Sequence, residues 1–194
     1  MFNRNIQSPV LIVGMHRSGT SMVAKAFNEA GIYMGTLRDH NGEVLYGIDL
    51  NERILERAGG SWHSPPTAES LDMVMPSFER KLEPVHIYGA HLKHPSGRAM
   101  RLKSVYSGPL VVKDPRLCMT LPWWLDKFPK AKVIWILRDE DEVVSSLMRR
   151  QMKVDEAKSG LTKEEALELA RRYNESAAMA IRTSGVAHRA VQYE

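Results

Sequence analysis

The sequence predicts an α/β fold built on a parallel sheet with right-handed crossovers. Three observations carry that prediction. Short, uniformly apolar runs rich in β-branched residues recur, VLIV at 10–13 and KVIWIL at 132–137, as strands buried on both faces require. Each is followed by a segment with helical spacing of apolar residues. A glycine or a charged residue stands where each run stops, so strand and helix alternate at the spacing of βαβ units.

Taken in order, Val10–Val13 is the first predicted strand, ended by Gly14. After a loop, Met22, Val23, Ala26, Phe27 and Ala30 recur at three-to-four spacing as one helix face, with Gly31 as the C-terminal stop. A second helix is predicted at about 48–57, with Ile48, Leu50, Ile54 and Leu55 among charges. From 59 to 108 the pattern weakens. GGSWHSPP reads as a turn-rich loop, 69–83 as a helix kinked at Pro76, and HPSG at 94–97 as a turn. This stretch is expected to be an inserted lid or substrate-side region within a single domain of 1–194.

Order returns with LVVKDPR (110–116), a strand running into a charged loop, and a short helix through Trp123–Phe128. KVIWILRD (132–139) is the clearest central strand. EDEVVSSLMRRQM follows as an amphipathic helix with Val143, Val144, Leu147, Met148 and Met152 on one face. Thr162 and Glu165 have the spacing of a capping box for a helix reaching about 183. HRAVQY (188–193) is a last candidate strand.

A chain of 194 residues with 27 Lys and Arg against 23 Asp and Glu is mildly basic and carries no long cationic block; the nearest is MRRQMK at 148–153. That favours a small anionic ligand over nucleic acid, which asks for a dense basic face. Cys118 is the sole cysteine, so no internal disulfide forms and a reducing, cytoplasmic setting is expected. The apolar run of MFNRNIQSPVLIV is too short for a signal peptide or membrane span.

The chemistry is concentrated in VLIVGMHRSGTSMVAKAF (10–27). A strand, a loop with glycines at 14 and 19, and a helix opening with Thr20 and Ser21 is nearly the arrangement that wraps phosphates with backbone N–H groups and a helix N-terminus. A P-loop NTPase needs lysine after the second glycine, and Thr20 stands there instead. The cation is Arg17, inside the loop. Lysine and Mg²⁺ together neutralise a β/γ-phosphate pair; a loop without that lysine suits a less charged transferred group, such as a sulfuryl group, needing positioning and oxyanion stabilisation but no metal. A second anion clamp is predicted at Arg138, which ends the central strand, and Ser146 eight residues on. Ser145 and Ser146 both lie off the apolar stripe of their helix.

Together these residues resemble the sulfotransferases that use 3′-phosphoadenosine 5′-phosphosulfate, PAPS. GMHRSGTS is similar to their 5′-phosphosulfate loop, which implies cofactor binding by Gly14, His16, Arg17, Ser18, Gly19, Thr20 and Ser21. RDEDEVVSS is similar to their 3′-phosphate motif, which assigns Arg138 and Ser146 to that phosphate. VVKDPRLCMTLPWW resembles a bacterial branch of the family, and NGEVLYGIDLNERIL its segment with an acidic residue and an asparagine eight apart, here Glu43 and Asn51. The fold implied is a three-layer α/β/α sandwich with a parallel sheet in P-loop NTPase-like topology. The activity implied is transfer of a sulfuryl group from PAPS to a hydroxyl or amine, with no metal required.

Two departures stand out. Glu140, Asp141 and Glu142 crowd the 3′-phosphate motif, and the sequence stops at VQYE where relatives continue into further helices. The second motivates an alternative, a shortened non-catalytic homologue that binds a nucleotide or a partner. A P-loop kinase is a weaker alternative, in which LVVKD would hold Mg²⁺. Homo-oligomerisation is left open.

Sulfuryl transfer needs a base on the acceptor side. Glu43 is the first candidate, provided burial raises its carboxyl toward neutrality, and Asp114 the second, although an Asp before Pro also braces turns. His40, His63, His86, His91 and His94 are further candidates in the variable middle. Lys113 and Arg116 would add positive charge near the phosphosulfate. Trp62, Trp123 and Trp124 would line an acceptor pocket or pack helices onto the sheet. The acceptor, a small molecule, sugar or peptide, would be chosen by residues 36–108.

Overall fold

A computed structural model describes residues 9–32, 34, 41, 43, 45–81, 110–153 and 160–194. Four strands form one sheet in the order β2-β1-β3-β4. They are β1 (Val10–Val13), β2 (Val111–Lys113), β3 (Lys132–Arg138) and β4 (His188–Tyr193). Every pairing is parallel, with Leu11 opposite Val112 on one side and Val133 on the other. The predicted α/β architecture is therefore present, and the carboxyl ends of all four strands lie at one edge.

Alternation along the strands splits the core in two. Leu11, Val13, Val112 and Val133 face one cluster, while Ile12, Val111 and Ile136 face another, as the two-residue period of a strand demands. The first cluster is covered by α2 (Leu45–Arg57), α3 (Ala68–Val74), α4 (Leu117–Lys127), α5 (Glu140–Lys153) and α6 (Lys163–Ser184). The second is covered by α1 (Thr20–Glu29) with Met34. Helices on both faces make three layers.

Several helix boundaries follow from capping. Thr162 and Glu165 form the predicted capping box of α6. At the end of α1, Gly31 has φ 75°, and the bonds Ile32 N–H to Phe27 O and Gly31 N–H to Asn28 O make a Schellman turn. The face of α1 differs from expectation: Ala24 is buried and Val23 and Phe27 pack on the core, while Met22 is 56% exposed. Ala26 and Ala30 are also exposed.

The helix expected near Trp123 begins earlier, at Leu117. Its residues from Leu117 to Leu125 are buried except Pro122, so no polar stripe marks its start. Trp123 and Trp124 are core residues, 3% and 1% exposed, not acceptor-pocket walls. The helix expected over 69–83 is α3 followed by a 3-10 segment, Met75–Lys81, which contains Pro76. Leu71, Met75 and Phe78 enter the main core, so residues 59–81 are part of the domain's packing. The rest of the expected lid, with His86, His91, His94 and the HPSG turn, lies outside the described residues, as do His40 and the side chain of Met152. Among the described residues, no helix is long and apolar enough to cross a membrane.

Candidate active site

The loop between β1 and α1 is shaped by close approach. A Cβ on Gly14 would lie 2.7 Å from the Ile136 carbonyl oxygen, and one on Gly19, at φ 96°, would lie 2.6 Å from the ring of Tyr193. Only glycine fits at either place. Between them, Arg17 adopts φ 71°, a left-handed conformation that costs a side-chain-bearing residue roughly 1–2 kcal/mol. Two bonds hold this stretch: Ser18 N–H donates to Met15 O at 3.1 Å, and Arg138 Nη1 donates to the Arg17 carbonyl at 2.9 Å.

The two motifs read separately in the sequence meet here. Arg17 Nε donates to Ser146 Oγ at 3.0 Å across 129 residues of chain. Ser146 is 6% exposed and faces the loop; Ser145, expected to share that freedom, is on the exposed surface of α5. Arg138 lies over the Tyr193 ring at 4.9 Å and is also paired with Glu142, Nε to Oε2 2.9 Å. Burial, then Arg150, Arg138 and Arg149, push the Arg17 guanidinium below its usual range. Positive charge is therefore concentrated at the loop: Arg138 is matched by Glu142, while among the described residues no carboxylate is paired with Arg17.

Two polar atoms in the loop are buried without a hydrogen-bond partner, Ser18 Oγ and His16 Nε2. The His16 ring lies 4.7 Å from Trp62 and 5.8 Å from Tyr173. Desolvation, assisted by Arg116 and Lys113, lowers its pKa well below the usual histidine value, so it is neutral at physiological pH. A buried hydroxyl left without a partner in a turn of this kind is available to donate to an oxyanion.

At the end of β2 a second set of charges is buried. Lys113 Nζ, 2% exposed, is 2.6 Å from Glu43 Oε1 and 3.2 Å from Ser21 Oγ. The lysine missing at position 20 is thus supplied to the start of α1 from the neighbouring strand. Glu43 also faces Arg116 at 3.6 Å. The expectation was that burial would raise this carboxyl toward neutrality; the structure buries it and also puts two cations against it.

Asp114 takes the bracing role. Its Oδ1 accepts from the Arg116 N–H and Nη1, and its Oδ2 from Asn51 Nδ2 at 2.8 Å. Arg116 also reaches Glu52 at 2.6 Å. Burial pulls this guanidinium down, but Asp114 and Glu52 with Glu43 outweigh it, holding it above its ordinary range. Asn51 accepts in turn from Thr120 Oγ1 and Trp124 Nε1. The Glu43–Asn51 spacing thus delivers two residues of one helix approach to the same strand end. His63 contacts Ser61 and the Trp62 ring; among the described residues, no hydrogen bond, ion pair or ring contact ties it to the Gly14–Ser21 loop.

Tyr193 has no counterpart in the sequence-based list. Its signal was weak: an aromatic at a strand's carboxyl end, identifiable only once β4 is known to lie beside β3.

With this geometry, a family model described as the sulfotransferase family matches residues 9–194. The chain belongs to the sulfotransferase family. Among solved structures it is similar to the sulfotransferase domain from the curacin biosynthetic pathway, at 16% identity, 97% of this chain, 68% of that chain and a TM-score of 0.48. It is also similar to sulfotransferase STF9 from Mycobacterium avium, at 15% identity, 95% of this chain, 59% of that chain and a TM-score of 0.45. No curated protein matches it in sequence. The family assignment covers both the Gly14–Ser21 loop and the Arg138–Ser146 pair, and extends through β4.

Proposed function

We propose that the chain is a sulfotransferase that binds PAPS at the Gly14–Ser21 loop and transfers its sulfuryl group to a hydroxyl or amine acceptor. The observation that carries this reading is the Arg17–Ser146 contact. It joins the loop to the helix serine, and with Arg138 bonded to the Arg17 carbonyl the two anion clamps read from the sequence are contiguous. The unpaired Ser18 hydroxyl and the close backbone approach at Gly14 fit an oxyanion seated in the turn.

When bound, PAPS supplies an activated sulfuryl group on its 5′-phosphate. The loop N–H groups, Ser18, Thr20 and Ser21 hold its oxygens at the start of α1. Arg17 and Lys113 stabilise negative charge on the departing phosphate. Glu43 fixes the Lys113 ammonium beside Ser21 and is the candidate to take the proton that the attacking hydroxyl or amine loses. Arg138 and Ser146 hold the 3′-phosphate, and Arg138 is kept in place by Tyr193 and the Arg17 carbonyl. Arg17, Lys113 and Arg138 are the cations the chain brings to this site, two of them already paired with Glu43 and Glu142, and the reading calls for no metal.

The test is conversion of PAPS to 3′-phosphoadenosine 5′-phosphate in the presence of phenol, sugar and peptide acceptors with a chelator present. Acceptor-dependent conversion that survives chelation supports the reading. Hydrolysis of ATP that requires Mg²⁺, with PAPS untouched, overturns it.

A further inference from the structure

One line of side chains on α5 faces the phosphate loop. Residues four apart on a helix differ by about 40° in direction and about 6 Å along the axis. Glu142, Ser146 and Arg150 fall on such a line. The first two rungs are occupied: Glu142 accepts from Arg138 at 2.9 Å and Ser146 accepts from Arg17 at 3.0 Å. The third, Arg150, is exposed and has no hydrogen bond or ion pair among the described residues. Its charge nevertheless bears on the loop. After burial, Arg150 is the strongest influence on the Arg17 guanidinium, ahead of Arg138, and it also acts on His16.

Charge around Ser146 indicates what this rung is for. Arg138 is already matched by Glu142, so that pair offers an anion donors but little net charge. A phosphate monoester carries roughly two negative charges near neutral pH. Ser146 accepts from Arg17, which leaves its own proton to donate. A phosphate there would meet one unmatched cation, Arg17, unless a second closes over it. Arg150 lies one turn beyond Ser146 on the same line, with a side chain long enough to span that distance.

Resting on the PAPS reading, we propose that Arg150 is a cofactor-binding residue, the second unmatched cation of the clamp that holds the 3′-phosphate with Ser146 and Arg138. Arg149, about 60° from Ser146 on the other side, is not on the line and serves as the comparison.

The experiment is calorimetric titration of 3′-phosphoadenosine 5′-phosphate and of 5′-AMP, which lacks the 3′-phosphate, into wild type, Arg150→Ala, Arg150→Lys and Arg149→Ala. Thermal melts establish that each variant is folded. Arg150→Ala is expected to weaken the bisphosphate by roughly tenfold or more while AMP changes by less than about threefold. Arg150→Lys should recover part of the loss, and Arg149→Ala should lose less than Arg150→Ala. Equal losses for both nucleotides would reduce Arg150 to a general field effect and overturn the assignment. Unchanged affinity for both would do the same and leave Arg150 to another anion, such as a charged acceptor. Wild type that binds AMP but gains nothing from the 3′-phosphate removes the PAPS reading itself, and the assignment with it.

Discussion

The end of β2 and the loop after β1 lie side by side, yet they are built on opposite terms. At β2, Lys113 and Arg116 are interleaved with Glu43, Asp114 and Glu52, and Asn51 ties Asp114 to Thr120 and Trp124. Among the described residues of that cluster, only Arg116 Nε is buried without a partner. In the loop, Ser18 Oγ and His16 Nε2 are both unpartnered, Arg17 is held at φ 71°, and no carboxylate is paired with Arg17 among the described residues. A network that satisfies most of its own charges holds its members in place, Lys113 beside Ser21 among them. One that leaves donors and cations unmatched is, on the proposed reading, completed by a ligand, and the two differ in what a mutation should remove.

The largest effect is expected in the network at β2. Asp114→Ala strips a buried acceptor from Arg116 and Asn51 together, so stability should fall by roughly 3–5 kcal/mol, read from urea unfolding midpoints. A loss under about 1 kcal/mol would mean the network is ornamental.

The loop should show the reverse. Arg17→Gly removes a cation and relieves a left-handed residue, so nucleotide affinity should drop by roughly tenfold to a hundredfold while folding stability rises by about 1 kcal/mol. Loss of both properties together would erase the distinction between the two regions.

His16 sharpens the comparison through pH. Its folded pKa lies well below the usual histidine value, so the unfolded chain takes up the proton first as pH falls. Its stabilising contribution is complete above the unfolded pKa, near 6.5, declines on acidification, and levels off below the folded pKa. The slope attributable to it is about 1.4 kcal/mol per pH unit. Comparing His16→Gln with wild type between pH 5 and 8 should show that slope vanish; parallel curves would place the histidine in a wetter site.

The smallest effect concerns Glu142, which takes the Nε donor of Arg138. Glu142→Gln should raise affinity for 3′-phosphoadenosine 5′-phosphate a few-fold, on the order of 1 kcal/mol, with no change for 5′-AMP. Weaker binding would show that Glu142 chiefly positions the arginine.

The same division explains what was legible in the sequence. β1, β3 and the capping box of α6 are local patterns, and each is present where predicted. Arg17, Arg138 and Ser146 were singled out as candidate anion ligands by residue type and short spacing, and the structure brings them together. The start of α4 was not, since a helix buried nearly all round has no polar stripe and Pro122 suggests a break. Nor were the contacts that make a site: Lys113 with Ser21, Arg17 with Ser146 and Gly19 with Tyr193 depend on strand order. Asp114 was weighed as base or brace, and only the positions of Asn51 and Arg116 distinguish the two geometries.

The central claim is that the unmatched loop is a PAPS site, and calorimetric titration with 3′-phosphoadenosine 5′-phosphate, set against ADP with and without Mg²⁺, tests it most directly. The expected result is selective, metal-independent binding of the bisphosphate that is lost in Arg138→Ala. Preference for ADP that depends on Mg²⁺, or no binding of the bisphosphate by the folded chain, would contradict it.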